Sequence, residues 1–164
     1  MAFSTRDARI LVADDQQDFL DFTVDGLKEL LRGARVEGAC GGFEALVRIG
    51  TLQPDLLVLD LRMPGGPDGF EVCRRVKEAP ATKATKIVAT TGFDDREAEQ
   101  LAMTCGADAF VVKQANLTAL ARQITSLLDA DRVVDDATRR ARARAKAERT
   151  AAGSPTAKKR KARR

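Results

Sequence analysis

Strand-length apolar runs alternate with helical patterns along most of this chain, and all but the weakest stop at a polar residue. The runs are Arg9–Ala13, Leu56–Leu59, Lys86–Thr90 and Ala109–Val112, with Arg35–Ala39 as a weaker fifth. Between them, apolar residues recur at helical spacing. Phe19, Leu20, Val24, Leu27, Leu30 and Leu31 form one such face, which stops at Gly33. Gly42–Leu52 forms a second, and Phe70, Val72, Cys73 and Val76 form a third that ends at Pro80. Asp94–Cys105 and Leu117–Leu128 complete the set. Five strands alternating with five helices predict an α/β fold with a doubly wound parallel sheet covered on both faces. The runs are continuous rather than alternating, as a sheet buried on both sides requires.

Composition narrows the chemistry. The chain has no His, so no His-based acid/base pair, triad or His-ligated metal site can form. Its three Cys (Cys40, Cys73, Cys105) lie more than 30 residues apart, which argues against a disulfide scaffold or an all-Cys zinc site. There is no Trp or Tyr. No apolar run is long enough to span a bilayer, and the first residues lack the build of a signal peptide. A cytoplasmic protein with no membrane insertion is expected. The net charge of +4 conceals a division. Residues 1–131 carry 15 Lys/Arg and 21 Asp/Glu, a balance of −6, whereas residues 132–164 carry 13 and 3, a balance of +10.

In open parallel sheets the ligand site lies outside the carboxyl ends of the strands. Asp14 and Asp15 end the first strand and Asp60 ends the third. Thr90, Thr91 and Gly92 end the fourth, and Lys113 ends the fifth. Each has an ordinary reading. Asp14 or Asp15 caps a helix, Asp60 starts a turn before Pro64, Thr91 is a strand former or an N-cap, and Lys113 is a surface charge. Those readings leave unexplained why carboxylates, hydroxyls and an ammonium mark one sheet edge. Three clustered carboxylates repel one another, and a hard divalent cation offsets this. An oxygen-only donor set points to Mg²⁺ rather than zinc. The same set suits phosphoryl transfer onto an Asp, with the metal, Lys and Thr neutralising the phosphoryl oxygens.

The segments ILVADD, GGFEAL, PDLLVLDLRMPGG, DGFEVCRRVK, IVATTGFDD and GADAFVVK carry a resemblance. Over Ile10 to Lys113 the chain resembles the receiver domain of two-component response regulators, of the CheY-like, single-domain type with a basic C-terminal tail. The resemblance implies a flavodoxin-like fold for residues 1–131. It implies a signalling phosphoacceptor rather than an enzyme, in a stand-alone regulator of a phosphorelay. Asp60 would accept a phosphoryl group from a histidine kinase or phosphotransfer protein, or from a small donor. Asp14, Asp15, Asp60 and the backbone carbonyl of Arg62 would hold Mg²⁺. Thr91 would be the switch hydroxyl with Gly92 leaving room beside it, Phe110 the aromatic that moves inward, and Lys113 the contact to the phosphoryl oxygens. A downstream protein partner follows, and the resemblance also allows a homodimer on phosphorylation.

Several positions depart from the family pattern. Gln114 stands where the family has Pro, and a cis bond before Gln would cost ~3 kcal/mol. The loop over residues 64–69 is one residue longer than usual. Phe110 lacks the hydroxyl that many relatives carry. Bulky Arg62 and Phe93 flank the path of hydrolytic water and predict a long-lived phosphoaspartate. The tail 132–164 matches no output domain. Its Arg/Lys–Ala alternation leaves no apolar stripe, which predicts a frayed helix followed by disorder. It is read as a solubilising tail, as an electrostatic contact to nucleic acid or an acidic partner, or as a cover that folds back over the phosphorylation site. The alternatives to phosphoswitching are a nucleic-acid-associated protein under receiver control and a non-switching binding module.

Overall fold

A computed structural model describes residues 3–5, 7–93, 95–113 and 117–130. Gln114 and the tail 132–164, with the readings attached to them, lie outside the described residues. The elements run β1 (Arg9–Asp14), α1 (Gln17–Leu30), β2 (Arg35–Cys40), α2 (Gly42–Leu52) and β3 (Leu56–Asp60). They continue with α3 (Gly69–Glu78), β4 (Lys86–Thr91), α4 (Arg96–Thr104), β5 (Ala109–Val112) and a final helix, α5, over residues 118–130. The strands form one parallel sheet in the order β2-β1-β3-β4-β5. This is the doubly wound, flavodoxin-like arrangement that the alternation predicts.

The order explains where the helices lie. From β1 the chain steps one way to β2, then crosses back to β3 and continues to β4 and β5. Right-handed crossovers put the helix of the first step on one face and those of the later steps on the other. The core divides accordingly. Ile10, Val12, Leu56, Val58 and Val88 pack with Leu20, Val24 and Leu27 of α1 and with Leu120, Ala121 and Ile124 of α5. Leu11, Ala13, Leu57, Leu59, Ile87 and Ala89 pack with Ala45 and Ile49 of α2, Val72, Cys73 and Val76 of α3, and Ala102 of α4. Successive strand residues alternate between the two faces. Both faces are apolar because both are covered.

Element ends differ from expectation where polar side chains belong to the ladder. Asp14 pairs with Cys40, and Thr91 with Val112, so β1, β2 and β4 each run one residue further. α4 starts at Arg96 because Asp95 caps it, its carboxylate accepting from the N–H groups of Glu97 and Ala98. A short parallel pairing of Phe3–Ser4 with Leu31–Arg32 was not anticipated. Leu31 continues the helical pattern of α1 but leaves the helix, and is fully buried beyond it. The loop after β3 packs onto the start of α2. A β-carbon at Gly42 would stand 1.8 Å from the Pro67 carbonyl oxygen, and one at Gly66 would touch the Phe43 ring. Asp68 then caps α3 by accepting from Glu71 N–H at 2.8 Å. Among the described residues, no helix is long and apolar enough to cross a membrane.

Candidate functional site

The carboxyl ends of β1, β3, β4 and β5 converge on one ammonium. Lys113 Nζ lies 2.6 Å from Asp14 Oδ2 and 2.9 Å from Asp60 Oδ2. Asp14 and Asp60 are 2% and 3% exposed, so this triad is largely withdrawn from water. Backbone donors fix the carboxylates further. Gln16 N–H donates to Asp14 Oδ1 at 3.0 Å, and Arg62 N–H donates to Asp60 Oδ1 at 3.1 Å. Asp14 therefore meets the entry to α1 without being its cap, which is Gln16. Asp60 does initiate a turn, and also faces Lys113.

Burial, the largest influence on Asp60, pushes its carboxyl above the ordinary range; the Lys113 hydrogen bond opposes this, and the Asp14 charge adds to it. For Lys113, burial acts most strongly and downward. The hydrogen bonds and charges of Asp14 and Asp60 together outweigh it, so the ammonium ends above its ordinary value. The site holds its one cation tightly.

Asp15 completes an acidic cluster. Asp14, Asp15 and Asp60 each offer an oxygen within 4.8 Å of the others. Asp15 Oδ1 is buried without a hydrogen-bond partner. A buried, unpartnered carboxylate oxygen beside two more fits a hard divalent cation, which takes oxygen donors alone.

Thr91 is fully buried, and its Oγ1 has no hydrogen-bond partner. Its main chain ties the site together, because Lys113 N–H donates to Thr91 C=O at 2.7 Å. By strand alternation Thr91 follows Ile87 and Ala89 onto the α2–α4 face. Phe110 is partly buried against that same face. Asp14, Asp60 and Lys113 follow Val12, Val58 and Val111 onto the α1 and α5 face. A β-carbon at Gly92 would meet nothing within 4 Å, so this position is open. The Arg62 guanidinium pairs with Asp95 at 3.4 Å, and Phe93 is 72% exposed.

One residue at the site was missed by sequence reasoning. Lys113 Nζ lies 4.8 Å from the centroid of the Phe19 ring. The signal was there: Phe19 stands four residues after Asp15, in the first turn of the helix that starts at the sheet's carboxyl edge. Its place in an apolar helical pattern hid it.

The chain matches the response regulator receiver domain family over residues 10–125. It is 34% identical over 131 residues to response regulator PleD of Caulobacter vibrioides, covering 79% of this chain and 28% of that protein. It is 32% identical over 96 residues to the phosphate regulon transcriptional regulatory protein PhoB of Rhizobium meliloti, covering 58% of this chain and 42% of that one. It thus spans less than half the length of these curated relatives. Among solved structures, it resembles the signal receiver domain of a DNA binding response regulator protein from Colwellia psychrerythraea (TM-score 0.69, 32% identity, 75% of this chain and 99% of that one). It also resembles a CheY-like response regulator receiver domain protein from Methanospirillum hungatei (TM-score 0.67, 28% identity, 76% and 95%). With the family matched across the whole sheet and the acidic triad at its carboxyl edge, the chain belongs to the response regulator receiver domains of two-component systems.

Proposed function

We propose that Asp60 is a phosphoacceptor, loaded by a histidine kinase or phosphotransfer protein, and that the loaded domain changes its protein partners in a phosphorelay. The observation that carries this reading is the single Lys113 ammonium held between Asp14 and Asp60, beside the unpartnered oxygen of Asp15. An Asp60 oxygen attacks the donor phosphorus. The bond from phosphorus to the donor histidine nitrogen breaks, and that nitrogen leaves with the electron pair and takes up a proton. Lys113 shifts its hydrogen bond from the Asp60 carboxylate to the new phosphoryl oxygens. The Thr91 hydroxyl, buried without a partner, turns to donate to another of those oxygens. Its movement opens space for Phe110, so the two packing states differ where Phe110 meets the α2–α4 face. Asp14, Asp15, Asp60 and the Arg62 carbonyl are the residues that would hold Mg²⁺, which when bound supplies positive charge to the phosphoryl oxygens.

The test is intact-protein mass after incubation with acetyl phosphate and Mg²⁺, with Asp60→Asn alongside. A gain of one phosphoryl group (~80 Da) in wild type alone supports the reading. No gain with acetyl phosphate or a broad-specificity histidine kinase overturns it. The tail is proposed to contact nucleic acid or an acidic partner electrostatically, on the strength of its +10 charge. Salt-sensitive retention on DNA, lost on truncation to 1–131, would support the nucleic-acid form of that contact.

A further inference from the structure

We propose that Phe19 is a positioning residue for Lys113, holding the ammonium against its ring face; this rests on the phosphoacceptor reading of Asp60. An ammonium has three N–H donors. Two face the carboxylates of Asp14 and Asp60, at 2.6 and 2.9 Å. The negative face of an aromatic ring attracts a cation without accepting a directed hydrogen bond. A carbonyl or carboxylate at this place on α1 would consume the remaining donor. Phe19 instead steadies Lys113 and leaves that donor for an incoming phosphoryl oxygen, alongside the one that Asp60 gives up on phosphorylation.

The surroundings strengthen the contact. Phe19 and Lys113 line a small cavity of ≈ 20 Å³ with Val58, Val111, Leu117 and Leu120, whose walls are mainly apolar. The Lys113 side chain is only 12% exposed, and a cation–π contact is strongest where it is desolvated. The ring is also braced. Phe22 packs against it, with centroids 6.1 Å apart and planes tilted by 45°. The contact links the first turn of α1 to the end of β5, two elements distant in sequence.

The experiment compares three full-length chains: wild type, Phe19→Leu, and one carrying pentafluorophenylalanine at position 19. The fluorinated ring keeps the aromatic shape and reverses the charge of its face. The phosphorylation rate with acetyl phosphate and Mg²⁺ is measured for each. NMR follows the ring-current displacement of the Lys113 Cε protons, and thermal unfolding confirms folding. Wild type should show displaced Lys113 protons. Both altered chains should remain folded and phosphorylate about 3- to 10-fold more slowly. In the fluorinated chain the displacement should shrink as the ammonium leaves the ring. A fluorinated chain with wild-type rate and displacement would overturn the inference, leaving Phe19 as a space-filling residue. If wild type gains no phosphoryl group, the phosphoacceptor reading fails. The Lys113 proton shifts still decide whether Phe19 holds the ammonium.

Discussion

Gly69 lies directly against the backbone of Asp60: a β-carbon there would stand 2.2 Å from the Asp60 carbonyl oxygen and 2.5 Å from Leu61 Cα. The first residue of α3 is thus fitted to the strand end that carries the proposed phosphoacceptor, and Gly69 N–H donates to Leu61 C=O at 3.2 Å. Gly69→Ala should lower stability by about 1–3 kcal/mol, the range for overpacking, read from urea unfolding. It should also slow phosphorylation, because the backbone that must yield is that of Asp60. An unchanged urea midpoint would mean that α3 shifts without strain.

Removing the shared cation should expose the repulsion it suppresses. Lys113→Met leaves two buried carboxylates facing one another, and a loss of about 3–5 kcal/mol is expected in the presence of a chelator. Added Mg²⁺ should recover part of that loss by binding the folded chain alone. A variant equally stable with and without Mg²⁺ would count against metal binding at this cluster.

Glu44 provides a pH-dependent contribution away from the site. Its carboxylate lies below its ordinary value of 4.5, first because it accepts the Cys40 N–H and then because it bonds Arg48, with burial opposing. The distances are 2.8 Å to Cys40 N and 2.7 Å to Arg48 Nε. A lowered folded value means the stabilisation is present above pH 4.5 and is lost as pH falls through the folded value. Unfolding midpoints of wild type and Glu44→Gln should differ at about pH 6 and converge by about pH 3. The side chain is 40% exposed, so solvent screening keeps the difference small.

The cysteines should react in a fixed order. Cys73 is buried, and burial first, then the neighbouring Cys105, pushes its thiol up to about 12. Cys40 is exposed at the end of β2. Alkylation at mildly alkaline pH, followed by peptide mass mapping, should label Cys40 in the folded chain and Cys73 only after unfolding. Labelling of Cys73 at the Cys40 rate would contradict this packing.

Arg62 and Phe93 are expected to slow hydrolysis of the phosphoaspartate. Combined Arg62→Ala and Phe93→Ala should shorten its half-life several-fold in a dephosphorylation time course. A wild-type half-life of only seconds would end the idea.

The sheet and its acidic edge were legible because strand ends in such a fold are marked by abrupt changes of residue type. LLVLD, KIVATT and AFVVK each pass from apolar to polar within one residue. The contacts between elements were not legible in that way. Phe19 belongs to the apolar stripe of α1 and yet reaches Lys113, a contact that only the folded placement of the first turn of α1 at the sheet's carboxyl edge reveals. Gly42 read as an ordinary helix start and Gly69 as the end of the loop over residues 64–69, and their close fits to Pro67 and Asp60 depend on how the loop after β3 folds back. Leu31 continued a helical period that the chain abandons, because burial beyond the helix outweighed one more helical residue.

The alternation of side chains along β4 and β5 makes the sheet a partition with one doorway. Asp60 and Lys113 occupy one room, with α1 and α5 as its walls. Thr91 and Phe110 occupy the other, with α2, α3 and α4. Any rearrangement that starts at Asp60 and reaches Phe110 must therefore pass around the upper rim of the sheet, where Thr91 is the last residue of β4. Under the proposed phosphoacceptor reading, the surfaces that load the domain and those that read it lie on opposite faces of the sheet and can change independently in sequence.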